Sequence, residues 1–144
     1  MEPRKRKTGA RRVFVDTVAW IALFNQRDNL HLPCMELRIA LRRQKAKFVT
    51  SEFVLLEFAD GCCSLPLRTN AITFLEGIKQ LPDLEITPLS SELLAKGWNL
   101  YSHRLDQDWS LTDCTSFSIM KQHRIMEAFT MDHHFEQAGF VKLL

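Results

Sequence analysis

Four acidic residues of this chain stand at positions where an unpaired acid is costly. In S-L-T-D-C-T-S-F (110–117), Leu111, Cys114 and Phe117 recur at helical spacing, and Asp113 lies four residues before Phe117 and seven before Met120. It therefore shares their inward face. Asp16 closes the apolar run R-V-F-V-D (12–16), and Asp132 closes a later one, E-A-F-T-M-D (127–132). Glu57 has Phe53, Val54, Leu56 and Phe58 around it, surroundings that rarely tolerate a lone charge. Each has an ordinary structural use. Asp16 and Asp132 could be N-caps of the helices that follow. Asp113 could be the N3 partner of Ser110 in a capping box, although that box prefers Glu or Gln. Glu57 could reach solvent at a helix edge. Brought close, four carboxylates repel and resist ionising unless a cation is present. The economical cation is a hard divalent one, Mg²⁺ or Mn²⁺, which prefers oxygen ligands. Such an ion activates water and steadies the charge growing on a phosphate, with no call on His, Cys or Ser.

Other phosphate chemistries fit less well. There is no G-x-x-x-x-G-K-[ST] loop and no G-x-G-x-x-G. Asp16 is followed by Thr17 and Val18, so the D-x-D of an aspartyl-nucleophile phosphohydrolase is missing. A phosphorelay receiver would want paired acids after its first strand and a late Lys, and neither is evident. Cys34, Cys62, Cys63 and Cys114 form no C-x-x-C pair, which argues for reduced thiols rather than a disulfide framework. His31-x-x-Cys34 and His133-His134 lack the further close-spaced pair that structural zinc usually brings.

The elements that must position the acids alternate in type. Strands are expected at 12–16, 47–50, 84–89, 127–132 and 140–144. Helices are expected at 17–25, 32–44, 51–60, 68–81, 90–105, 110–124 and 133–139, with Ser51, Ser90 and Ser110 at helix starts and Gly61 closing the third helix. Alternating strands and helices imply a mainly parallel sheet covered on both faces, a three-layer α/β/α sandwich. The strands are apolar throughout, as doubly buried strands should be. In such sheets sites form outside the carboxyl ends of the strands, where Asp16 and Asp132 both fall.

A length of 144 residues with 46% apolar and 25% charged residues suits one globular domain with a sizeable core. The net charge of +2 is uneven: residues 1–12 carry +5 and the remainder −3. The expected organisation is a basic, flexible arm over 1–12 and a domain over 13–144. The arm could touch a phosphate backbone, or could simply be a disordered, solubilising start. Asp16 interrupts V-F-V-D-T-V-A-W-I-A-L-F, and no small-x-small cleavage pattern follows, so this run is core rather than a signal peptide or membrane span. A cytoplasmic location without membrane association is expected.

Four blocks carry a family resemblance. V-F-V-D-T-V-A-W-I-A-L-F-N-Q-R-D-N-L-H (13–31), T-S-E-F-V-L-L-E-F-A-D (50–60), W-S-L-T-D-C-T-S-F-S-I-M-K-Q-H-R-I (109–125) and E-A-F-T-M-D-H-H-F-E-Q-A-G-F (127–140) occur in this order. Together they resemble PIN domains, above all the VapC-type toxins of toxin–antitoxin pairs. The resemblance implies that Asp16, Glu57, Asp113 and Asp132 form the family's acidic quartet, which holds Mg²⁺ or Mn²⁺ and activates water. It places Thr17 on the hydroxyl that orients the first acid, and Thr112 on a Ser/Thr beside the third. The implied activity is metal-dependent endoribonuclease cleavage to 5′-phosphate and 3′-hydroxyl ends. The implied partners are an RNA substrate, a small cognate antitoxin and a second copy in a homodimer. Val18 and His133 depart from the family, which often has a small polar residue and an Arg there.

Arg38, Arg42, Arg43, Lys45 and Lys47 form the densest basic stretch of the folded part, and are candidates to offset RNA phosphate charge around the acids. His103, Arg104, Lys121, His123 and Arg124 are further candidates. Trp109 could stack on a base or belong to the core, and His133 could meet RNA beside the fourth acid. Two other functions remain open at this level: a PIN fold that binds RNA or protein without cutting, and a nuclease of housekeeping RNA processing.

Overall fold

Twelve elements follow one another in the computed structural model, which describes residues 9–144. They are β1 (Arg12–Val15), α1 (Thr17–Phe24), α2 (His31–Arg43), β2 (Lys47–Ser51), α3 (Glu52–Gly61), α4 (Leu65–Ile78), β3 (Leu84–Thr87), α5 (Ser91–His103), α6 (Leu111–Gln122), β4 (Glu127–Phe129), α7 (His133–Gln137) and β5 (Val141–Lys142). The five strands form one sheet in the order β3-β2-β1-β4-β5, and every pairing is parallel. Each of the expected strands and helices is present, and helices flank the sheet as the alternation predicts. None of the described helices is long and apolar enough to cross a membrane.

β1 lies at the centre because it is the most apolar strand. Val13, Phe14 and Val15 are buried, with successive side chains turned to opposite faces of the sheet. Phe14 faces Phe135 of α7, 6.5 Å away between ring centres, and Phe135 in turn meets Phe117 of α6 edge-on at 4.9 Å. Phe24, Phe58 and Phe74 make a separate aromatic cluster linking α1, α3 and α4. Two of the polar side chains inside this core pair with each other and with the backbone of β1. The Trp20 indole N–H donates to Thr50 Oγ1 at 3.1 Å, and the Thr50 hydroxyl donates to the Val15 carbonyl at 2.9 Å.

Boundaries shift where local chemistry outweighs periodicity. α4 starts at Leu65, ahead of the expected 68, because Pro66 is compatible with a first helical turn. Gly61 ends α3 without a left-handed turn, so its role is not that of a left-handed cap. Arg12 belongs to β1, and the Arg11 guanidinium pairs with Glu127 at 2.6 Å, so both stand in the sheet's edge; residues 1–8 of the expected arm lie outside the described residues.

α5 and α6 pack closely because Gly97 leaves room. A Cβ at this position would come within 2.6 Å of Thr115 Cγ2 and 3.1 Å of the Thr115 backbone nitrogen. Backbone cannot move aside cheaply. Gly97→Val is expected to destabilise by about 1–3 kcal/mol through overpacking, despite a few tenths gained in helix propensity. Thermal or urea denaturation checks it; unchanged stability would mean that the two helices separate freely.

Candidate active site

The strand order reverses direction at β1. The chain leaves β1 towards β2 and β3 on one side, then crosses back to β4 and β5 on the other. A crevice opens outside the carboxyl ends of adjacent strands at such a point. Asp16 follows the last residue of β1, and Asp132 follows β4 by three residues. The Asp16 amide donates to the Phe129 carbonyl at 3.3 Å, which extends the β1–β4 pairing to the crevice floor.

Asp16 is 3% exposed. Its backbone carbonyl starts α1, accepting from the Ala19 and Trp20 amides, but its side chain makes no capping bond. Instead Asp16 Oδ2 accepts from the Thr130 hydroxyl at 3.0 Å. Burial, helped by the charges of Asp113 and Glu57, pushes the Asp16 carboxyl up to about 7, against the pull of the Thr17 backbone amide and Thr130. Beside it the buried Thr17 hydroxyl has no hydrogen-bond partner among the described residues.

Asp113 is 7% exposed and performs the capping role while its charge acts on Asp16. The Ser110 hydroxyl accepts from the Asp113 amide at 3.0 Å, and Asp113 Oδ2 accepts from the Ser110 amide at 3.3 Å, a reciprocal box. The same Oδ2 lies 3.2 Å from His134 Nδ1. Burial and the charge of Asp132 raise the Asp113 carboxyl, while Ser110 and His134 act the other way. Asp132 caps α7 through Oδ1, which accepts from the His134 amide at 2.9 Å. Its own amide donates to the Thr130 hydroxyl at 3.0 Å, so Thr130 ties the first acid to the fourth. Glu57 is half-buried on α3 and reaches the cluster through its charge on Asp16, so the apolar surroundings read from the sequence do not enclose it.

One pattern recurs. Asp16, Asp113 and Asp132 each spend one carboxylate oxygen on a bond that the fold needs. The other oxygen of each takes no side-chain hydrogen bond among the described residues. These oxygens, Glu57 and the orphaned Thr17 hydroxyl are donors of the kind a hard divalent ion takes, and the repulsion that raises Asp16 and Asp113 is what such an ion would relieve. His133 and His134 also approach: one ligand atom from each and one from Asp132 lie within 4.8 Å of one another.

The family model for the PIN domain matches residues 13–141. The chain belongs to the PIN domain family. It is 26% identical over 134 residues to the 23S rRNA-specific endonuclease VapC20 of Mycobacterium tuberculosis, a span covering 91% of this chain and 97% of that protein. The crystal structure of VapC20, described as a Sarcin-Ricin loop cleaving toxin, superposes with a TM-score of 0.80 over 90% of this chain and 96% of that one. VapBC2 from Rickettsia felis, solved with a DNA fragment from its promoter, shares the fold at 15% identity with a TM-score of 0.65, over 91% of this chain and 96% of that one.

Of the residues singled out from sequence, the PIN domain brings Asp16, Asp113 and Asp132 together with Glu57 at their side. The supporting hydroxyls differ from the expectation. Thr130 holds Asp16, whereas the Thr17 hydroxyl has no partner among the described residues, and no hydrogen bond there joins the Thr112 hydroxyl to an acid. Ser110 and His134 hold Asp113. Thr130 and His134 were legible only as neighbours of Asp132 in T-M-D-H-H. Trp109 is 5% exposed, donates to Gln137 at 3.2 Å and has Arg104 stacked over its ring, so it is core and offers no free face to a base. Arg42, Arg43 and Lys45 end α2 and enter β2, which places them at the amino edge of the sheet, opposite the acids; Arg42 pairs there with Asp83 at 3.2 Å. Arg38, one turn earlier, is half-buried and lines a small pocket together with Asp83 and Leu84. His133 alone of these candidates is exposed beside an acid, 3.7 Å from Asp132.

A raised carboxyl makes stability fall with pH. The folded chain keeps a proton on Asp16 that the unfolded chain releases near pH 4, so the Asp16 contribution declines from about pH 4 to about pH 7. At about 1.4 kcal/mol per pH unit this approaches ~4 kcal/mol. In chelator-treated protein Asp16→Asn is expected to be more stable than wild type above pH 7 and to lack this slope. Added Mg²⁺ or Mn²⁺ should raise the wild-type melting temperature at pH 8 and leave Asp16→Asn unmoved. Parallel stability–pH curves for the two proteins would contradict the electrostatic account.

Proposed function

We propose that this PIN domain is a toxin-type endoribonuclease that hydrolyses RNA phosphodiester bonds to 5′-phosphate and 3′-hydroxyl ends with Mg²⁺ or Mn²⁺, and that a small antitoxin restrains it. The observation that carries the reading is the convergence of two buried carboxylates, Asp16 and Asp113, on the crevice beside β1, with their charges opposing one another. A protein does not keep two such acids at one point for packing. Asp16, Asp113, Glu57 and Asp132 would hold the ion. When bound, the ion supplies an activated water and offsets negative charge on the phosphate.

The chain's own residues do the positioning. Thr130 fixes Asp16 and the amide of Asp132 in one stroke, so the two strand-end acids keep a set spacing. Ser110 and His134 engage one oxygen of Asp113 and leave the other without a side-chain hydrogen bond among the described residues. The exposed His133 stands at the rim, where it can meet the RNA backbone. VapC20 is named for 23S rRNA and for the Sarcin-Ricin loop, and 26% identity along nearly the whole chain supports a structured loop of large ribosomal RNA as the substrate. The likeness to VapC20, which is described as a toxin, and the resemblance of the four sequence blocks to toxins of toxin–antitoxin pairs support an antitoxin as the partner. The proposed assembly is a cytoplasmic homodimer in complex with it.

Purified protein incubated with a ribosomal RNA fragment containing that loop should give discrete fragments with Mg²⁺ or Mn²⁺ and none with EDTA. Asp16→Asn and Asp113→Asn should lose more than about 100-fold in rate, and Thr130→Val about 10–100-fold, the range typical of a residue that orients a metal ligand. Cutting that survives EDTA or Asp113→Asn sinks the proposal. Tight, metal-independent RNA binding without cutting would instead favour a binding module.

A further inference from the structure

The edge of the sheet opposite the acids is built from cations. Three helices pass into strands through the same turn. In each, the amide two residues past the helix cap returns to a carbonyl inside the helix: Ala46 to Leu41 at 3.0 Å, Ile125 to Met120 at 2.8 Å and Phe140 to Phe135 at 2.9 Å. The residue before that amide is left-handed in all three, with φ of +56° at Lys45, +55° at Arg124 and +93° at Gly139. Glycine is the cheap residue at such a position, and a side chain there costs about 1 kcal/mol. The chain uses glycine at the outermost junction, before β5. At the two junctions that flank β1, before β2 and β4, it uses Lys and Arg. The helix dipole does not require them, since Arg42, Arg43 and Lys121 already occupy the last turns of α2 and α6.

Neighbouring positions share the sign. Arg12 of β1 lies beside Lys47 of β2 in register, a like-charge pair that costs stability. The acids at this edge are engaged: Glu127 with Arg11, Glu85 with Arg12 and Asp83 with Arg42. Arg43, Lys45, Lys47 and Arg124 are exposed and make no ion pair among the described residues.

We propose that this amino edge is a second RNA-docking surface, which grips the phosphate backbone of a folded RNA at a distance from the scissile bond. The proposal rests on the endoribonuclease reading above. Four cations spread along one edge, with no ion pair among the described residues, fit a repeating anion rather than a single one. RNA held at both edges must reach around the domain. The contact is therefore open to a large folded RNA and closed to a short hairpin that carries only the cleaved loop.

The double variant Lys45→Gly with Arg124→Gly tests this without risk to folding, because glycine relieves both left-handed positions and its melting temperature should equal or exceed wild type. Filter binding to a long ribosomal RNA fragment should weaken by roughly tenfold, and the log–log salt slope should shrink by about 2. Cleavage of the short hairpin should proceed at the wild-type rate, while kcat/KM on the long RNA falls with its affinity. Unchanged long-RNA affinity and slope overturn the proposal and leave the nuclease standing. Loss of duplex-DNA binding with RNA binding intact overturns it in favour of a DNA-facing surface. Should the wild type cut neither RNA, the nuclease reading fails, and the binding measurement, which needs no cleavage, still decides the edge.

Discussion

Repulsion among buried carboxylates is the constraint around which this domain is arranged. Asp16 gives up nearly all of its hydration to sit at the end of the central strand, and Asp113 and Glu57 make its charge still less welcome. A fold optimised only for stability would place an apolar residue or an ion-paired one there. This fold instead softens the penalty with hydroxyls and amides. Thr130 serves Asp16 and Asp132 together, Ser110 serves Asp113, and His134 lies against both Asp113 and Asp132. These contacts reduce the cost without cancelling it, which is why the residual repulsion can be put to use on a cation.

The parallel sheet converts that local problem into a polarity of the whole molecule. All strands run the same way, so every strand end falls on one edge and every strand start on the other. Acids that close strands accumulate at the first edge. Cations that close helices, favoured there by the helix dipole, accumulate at the second. The separation is set by the length of β1, four residues at about 3.3 Å each, or roughly 13 Å through the sheet. Charges of opposite sign are thereby kept from collapsing onto one another. Arg42 and Arg43, close to the acids by no route in the fold, cannot quench them as they could if the sheet were antiparallel.

How much of this was legible in the sequence depended on whether the signal was local. The order of all twelve elements was, because apolar runs and caps such as Ser51, Ser90 and Ser110 are local. So were the four acids, since each is anomalous against its own neighbours. The Asp113 cap was also visible, and its two readings turned out to be compatible: one oxygen caps, the other remains. What sequence spacing could not supply was sidedness. Arg38 to Lys47 is a dense basic stretch in one dimension, yet α2 carries it to the far edge before β2 begins. Trp109 adjoins the third acid in sequence, but the turn into α6 buries it against Phe117. Thr130 is unremarkable until β1 and β4 are paired, because its partner lies 114 residues away.

The double duty of the acids explains why their positions are so constrained by the fold. An Asp that both caps a helix and offers an oxygen to the crevice has its rotamer set by the cap, so its free oxygen needs no further support. At α6 the box with Ser110 does this; at α7 the bond from the His134 amide does it. Asp16 lacks a capping bond, and it is the acid with a dedicated hydroxyl, Thr130, and an unsatisfied one, Thr17, beside it. Glu57, the longest of the four and the only one in mid-helix, has neither, and like Asp132 it is only half-buried. The ordering of the cluster therefore falls along a gradient, from Asp113, held by its own helix, through Asp16, held by a neighbouring strand, to Glu57, which no described side chain holds. If the crevice holds a cation as proposed, the two buried acids would meet it already oriented, and Glu57 would be the acid with freedom to adjust.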